Sequence, residues 1–123
     1  MQSFEKSKRQ LNLEAQNATP LFDAVRQHIA DGITPFHVPA HKHGHGLQEM
    51  REFLGDTALA MDINSMSDVD DLSNPISCID DAQRLAAETF GAEYAHFLIN
   101  GTTSGIHTMM LNALRPGDRV ILP

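Results

Sequence analysis

The stretch Tyr94-Ala95-His96-Phe97-Leu98-Ile99-Asn100-Gly101-Thr102-Thr103-Ser104-Gly105 decides how the fold is read. Its first six residues alternate too little for a strand with one wet face, so they read as a strand covered on both faces, as in a parallel sheet. A glycine leaves that strand, hydroxyl residues follow, and Ile106, Met109, Met110, Ala113 and Leu114 then recur with helical period. Pro116-Gly117-Asp118 ends the helix, and Arg119 to Leu122 opens another strand. Strand, turn, helix and strand over residues 94–122 form a βαβ unit, which puts the chain in the α/β class. Two or three strands cannot cover a strand that is apolar on both faces. The expectation is therefore an incomplete portion of a larger α/β domain.

The turn carries the chemistry. Gly101 followed by Thr102, Thr103 and Ser104 at the start of a helix gathers free backbone N–H groups and hydroxyls around one point, with the positive end of the helix dipole behind them. Such a place binds phosphate. The turn lacks the Gly-Lys-Ser/Thr of a nucleotide-triphosphate loop and the glycine spacing of a dinucleotide turn, so the phosphate belongs to something smaller, with pyridoxal phosphate the candidate. The alternative is that Thr102 or Thr103 merely caps the helix and binds nothing.

Working back toward the N-terminus, Ile79, Ala82, Leu85, Ala86 and Thr89 have helical spacing, and Gly91 is a natural terminator. From Asp56 to Asp81 there are seven aspartates and no Lys or Arg, which reads as a long irregular connection. Leu47 to Leu54 is a short helix candidate. Ala40 to Gly46 is a loop with three histidines, preceded by a short strand over Ile33–Val38 that Pro39 closes. Thr19 as N-cap and Pro20 at the first helical position begin a helix over residues 20–30, with Leu21, Phe22, Val25, His28 and Ile29 along one face and Asp31-Gly32 as its stop. Residues 1–18 are a polar tail or a loosely docked helix, and residues 19–123 are the domain portion.

Composition narrows the partners. Of 123 residues, 41% are apolar and 20% charged, and nine Lys+Arg against sixteen Asp+Glu leave a formal charge of -7. That balance argues against a surface for nucleic acid or an anionic membrane and favours a cationic partner. Cys78 is the only cysteine, so no intrachain disulfide can form and a reducing, cytoplasmic compartment is expected. No segment has the apolar run of a signal peptide or a membrane span.

Four segments, in order, resemble the opening of the ornithine/lysine/arginine decarboxylase major domain. They are Phe36-His37-Val38-Pro39-Ala40-His41-Lys42-His43-Gly44, Asp70-Asp71-Leu72-Ser73-Asn74-Pro75, Ala82-Gln83-Arg84-Leu85-Ala86-Ala87-Glu88 and Phe97 through Gly105. The resemblance spans Thr19 to Pro123. It implies a type I pyridoxal-phosphate fold, a homodimer or a multiple of one, and decarboxylation of arginine, lysine or ornithine toward a polyamine precursor. The family's phosphate cup then falls on Thr103 and Ser104, with Gly101 and Thr102 supplying the turn. The resemblance places the lysine that carries the cofactor, in a Ser-x-His-Lys setting, beyond Pro123. With it go the aspartate at the pyridine nitrogen and the histidine stacked on the ring, so no catalytic residue is assigned here and the 123-residue chain alone is expected to be inactive. Lys42 aligns with the family's Pro-Gly-His-Lys segment and is not a substitute. His41, Lys42, Asp70 and Asp71 are candidates for contact with the substrate or across a dimer interface.

This sequence departs from the family in having Ala40 and, near Ser77, lacking a second glycine; His45 stands where a basic residue is common. If either glycine position needs a positive φ, alanine or serine there strains the loop by roughly 1 kcal/mol or more. Two other readings stay open. One is a truncated, non-catalytic product or partner subunit. The other is a metal-binding module built on His37, His41, His43 and His45, but no cysteine or acidic partner sits at a usual ligand spacing, so the stretch reads as a solvated loop and no metal is assigned. Asp68, Asp70 and Asp71 either attract a cationic side chain or form a wet, charged loop. His96 and His107 read as packed or hydrogen-bonded, and the methionines as core filler.

Overall fold

A computed structural model of the chain describes residues 11–121. Five α-helices follow one another: α1 (Pro20–Ala30), α2 (Gln48–Leu54), α3 (Asp56–Met61), α4 (Cys78–Phe90) and α5 (Gly101–Ala113), with 3₁₀ turns at Ala15–Asn17 and Lys42–Gly44. Pro20 occupies the first turn of α1, where a missing N–H costs nothing, and the Thr19 hydroxyl donates to the Asp23 carboxylate at 2.9 Å instead of capping the backbone. Gly91 ends α4 in the left-handed region at φ 63°, and the Ala92 N–H reaches back to the Ala87 carbonyl at 2.9 Å.

Helices α1 and α4 pack on each other, α3 lies against α1 and α2, and the Lys42–Gly44 turn seats on α3. Their shared interior is small: Leu59, Val69, Ile79 and Ala87 are its buried apolar side chains, together with the polar His28, Asp70 and Gln83. The expected tail is partly docked, since Gln16 donates to the Leu85 carbonyl at 3.2 Å and accepts from the Thr89 hydroxyl at 2.8 Å. Residues 1–10 of that tail lie outside the described residues.

Three expectations are corrected. Among the described residues there is no β-strand, only an isolated antiparallel bridge between Met66 and Asp70, so the strands expected at 33–38, 94–99 and 119–122 are not formed. Leu122 itself lies outside the described residues. The reason is that a strand's N–H and C=O groups need a neighbouring strand, and the described residues bring none alongside; Tyr94 and Ile99 are 73% and 79% exposed. The βαβ unit at 94–122 is thus present only as its helix, and the α/β class is not realised within these residues. Second, the connection from Asp56 to Asp81 is not wholly irregular, because α3 forms at its start and α4 begins at Cys78. Asp56 in the first turn of α3 favours the helix dipole, and Leu59 gives the short helix a buried anchor at 3% exposure. Third, Ala40 and Ser77 avoid positive φ; left-handed backbone falls instead on Lys42 (φ 50°), His43 (φ 55°) and Asp70 (φ 69°).

Among the described residues, helix α5 packs on no other helix, and it contains no buried residue, although its Gly105 lies against the Leu98 side chain. Large apolar side chains stand open over the rest of the surface, with Phe36 91%, Phe90 84%, Leu111 80% and Ile121 98% exposed.

Candidate functional site

At the start of α5, Asn100 precedes Gly101, whose φ of +69° lets the chain turn sharply into the helix. No side chain caps the helix there, and a Cβ on Gly101 would meet nothing within 4 Å. The first-turn N–H groups, which have no partner inside a helix, have no hydrogen-bond partner among the described residues. Thr102 and Thr103 are exposed beside them, and the half-buried Ser104 hydroxyl donates to the Gly101 carbonyl at 3.2 Å. Free amides, three hydroxyls and a thirteen-residue helix dipole suit a phosphate dianion.

The other candidate residues lie elsewhere. His41 pairs through Nε2 with Asp62 at 3.0 Å, and the Lys42 ammonium donates to the His37 carbonyl. Asp70 is 5% exposed, and its carboxylate accepts from the backbone N–H groups of Asp71, Ile76, Ser77 and Ile79, at 2.8 to 3.0 Å from the last two. Burial alone would raise its pKa; these four donors outweigh it and hold the carboxyl far below the usual carboxylate range. Asp70 thereby fastens the loop before α4 to the first turn of that helix. Asp71 is exposed and accepts from the Ser73 N–H at 2.8 Å. No hydrogen bond or salt bridge among the described residues joins these four side chains to the Gly101–Ser104 turn.

Sequence reasoning passed over His28. It lies on the apolar face of α1, and the fold buries it to 2% exposure beside the His37–His43 loop. Ring centroids of His28, His37 and His43 stand 5.6 to 6.4 Å apart. The Asp68 carboxylate accepts from His28 Nδ1 at 2.6 Å, and that bond holds Asp68 below its ordinary value. Burial first, and then the neighbouring His37 and His28, lower the pKa of His43. The available signal was a histidine at an apolar-face position preceding a histidine-rich loop.

Residues 19–123 match the Orn/Lys/Arg decarboxylase major domain. The chain belongs to the Orn/Lys/Arg decarboxylase family. It is 43% identical to an arginine decarboxylase of Bacillus anthracis over 110 residues, which cover 89% of this chain and 22% of that protein. An arginine decarboxylase of Bacillus subtilis is 40% identical over 110 residues, again 89% of this chain and 22% of the relative. More distant is an ornithine decarboxylase of Haemophilus influenzae, 28% identical over 115 residues, covering 88% of this chain and 16% of that protein. The chain thus spans less than a quarter of the length of these curated relatives. No solved structure matches it. No described helix is long and apolar enough to cross a membrane.

Proposed function

We propose that this chain is the opening part of a pyridoxal-phosphate-dependent decarboxylase of basic amino acids, and that it contributes the seat for the cofactor's phosphate. The observation that carries the reading is the uncapped start of α5, where the first-turn amides of Gly101 to Ser104 have no partner inside the helix and the Thr102 and Thr103 side chains stand exposed, inside a family-matched segment. The residues fit the group: the Gly101 turn leaves room for an anion, the Thr102 to Ser104 amides and the Thr103 hydroxyl can each donate to a phosphate oxygen, as can the Ser104 hydroxyl on turning from the Gly101 carbonyl, and the helix dipole favours its charge. Bound there, pyridoxal phosphate supplies an electron sink for the pair left behind when a carboxylate departs as carbon dioxide. The chain's own part is to fix the position of the phosphate, and so of the ring, against a substrate held by the rest of the protein.

Arginine is the favoured substrate, because the relatives at 40% identity and above are named arginine decarboxylases. Lysine and ornithine are the other members of the class. In the natural-length protein the reading includes a homodimer in the cytoplasm, with residues 19–123 as one continuous portion of an α/β domain whose sheet takes in the segments at 94–99 and 119–122. Asp71, exposed at its loop, is the better placed of the two aspartates to meet a cationic group, since Asp70 is occupied by backbone donors.

The test is cofactor affinity in the natural-length protein. A Thr103→Ala/Ser104→Ala variant removes two hydroxyl donors to a charged group, each worth about a tenfold change or more, so the dissociation constant for pyridoxal phosphate is expected to rise about 100-fold. An unchanged affinity would remove the phosphate from this turn.

A further inference from the structure

Three histidines from two separate segments come together beside α1. Among the described residues, Nε2 of His28, Nε2 of His37 and Nε2 of His43 are all buried without a hydrogen-bond partner, and one ring nitrogen from each residue lies within 4.8 Å of the others. Two of the rings have fixed tautomers. His28 Nδ1 faces the Asp68 carboxylate at 2.6 Å and His37 Nδ1 faces the Val38 carbonyl at 2.7 Å, both pure acceptors, so in the neutral ring Nδ1 carries the hydrogen and Nε2 carries the lone pair. His28 is only 2% exposed, which makes its bare Nε2 costly unless something electropositive meets it.

We propose that His28, His37 and His43 form a three-histidine site for a divalent transition metal of the zinc class. Three neutral imidazoles oriented by a carboxylate and a backbone carbonyl are the donor set and outer shell that such an ion selects. In a tetrahedral site with Zn–N of about 2.0–2.1 Å the three nitrogens stand about 3.3 Å apart, so the rings close in by at most about 1.5 Å, a side-chain rotation and not a refolding. The fourth position opens on a cleft of about 540 Å³ lined by Lys42, His45, Ile33 and Ala60 beside His28 and His43, which gives the ion an entry path and a place for water. The ion ties the 37–43 loop to α1. Its ligands are separate from the α5 turn, so the site stands whether or not that turn binds phosphate.

The test uses the natural-length protein, stripped with chelator and titrated with Co²⁺ as a spectroscopic probe and Zn²⁺ as competitor. One Co²⁺ per chain with the visible bands of a tetrahedral nitrogen site, displaced by one Zn²⁺, is the expected result. His37→Ala and His43→Ala are expected to weaken binding by at least about 100-fold, and Asp68→Asn, which leaves all three ligands, by about 10- to 100-fold. His107→Ala, an exposed histidine on α5, is expected to bind as the parent does. If His28→Ala does not fold, the Asp68→Asn arm still decides. Absence of stoichiometric binding, or binding retained without His37 and His43, overturns the proposal.

Discussion

Gly44 offers a quantitative test of the loop that positions these histidines. It is buried at φ +78°, directly after left-handed His43, and a Cβ placed on it would lie 2.6 Å from Arg51 Cγ and 2.7 Å from Leu59 Cδ1. The Arg51 stem is half-exposed and can swing aside; Leu59 is 3% exposed and cannot. Gly46 is the internal control, since its φ is nearly the same at +79° and a Cβ there meets nothing within 4 Å. Gly46→Ala therefore carries only the left-handed backbone cost, about 1 kcal/mol. Gly44→Ala adds overpacking against Leu59 of about 1–3 kcal/mol, for a total of about 2–4 kcal/mol. Native-state hydrogen exchange reads this locally at the Gly44, His45 and Leu47 amides, which bond to His41, Lys42 and Gly44 carbonyls at 2.8, 3.1 and 3.0 Å. Exchange is expected to quicken about 5-fold in Gly46→Ala and about 30-fold to several hundred-fold in Gly44→Ala. In a Leu59→Ala background the added cost of Gly44→Ala is expected to shrink to that of Gly46→Ala. Equal effects of the two alanines in the parent would refute the packing of this loop on α3.

Two more expectations follow from the same contacts. Asp70 has a folded-state pKa far below that of an unfolded carboxylate, so its contribution to stability is complete above about pH 4 and is lost as the pH falls from there toward the folded value. Protection of the Ile79 amide is expected to drop in acid, and Asp70→Asn is expected to lower it at pH 7 and flatten its acid dependence; an unchanged pH slope would show that Asp70 does not fasten α4. The amides of residues 95–99 lack strand partners here and are expected to exchange fast in the 123-residue chain and slowly in the natural-length protein. Equal exchange in the two would mean that the segment is not a strand of a larger sheet.

Helices were legible wherever local signals sufficed. Thr19-Pro20 and Asp31-Gly32 bracket α1, Gly91 ends α4, and Gly101 opens α5, each through backbone geometry that neighbouring residues dictate. Strands were legible only as apolar runs, because their hydrogen bonds belong to partners far away in sequence; Tyr94 to Ile99 shows the pattern without the pairing. Among candidate site residues, the Gly101–Ser104 turn could be read locally, since adjacent residues build it. The three-histidine cluster could not, because it depends on α1 folding back over a loop nine residues away, and His28 counts in the sequence as one more position on an apolar face. Asp70 shows the converse: it was noticed for its charge, while its role is set by four backbone donors that only the folded loop brings together.

The central claim is that these residues open a decarboxylase whose cofactor phosphate sits on α5. Release of carbon dioxide from carboxyl-labelled arginine, lysine and ornithine by the natural-length protein, across a series of pyridoxal phosphate concentrations, tests it most directly. Release is expected from arginine first among the three, with the cofactor requirement moved to about 100-fold higher concentration by Thr103→Ala/Ser104→Ala. No release from any of the three, with the cofactor in excess, would contradict it.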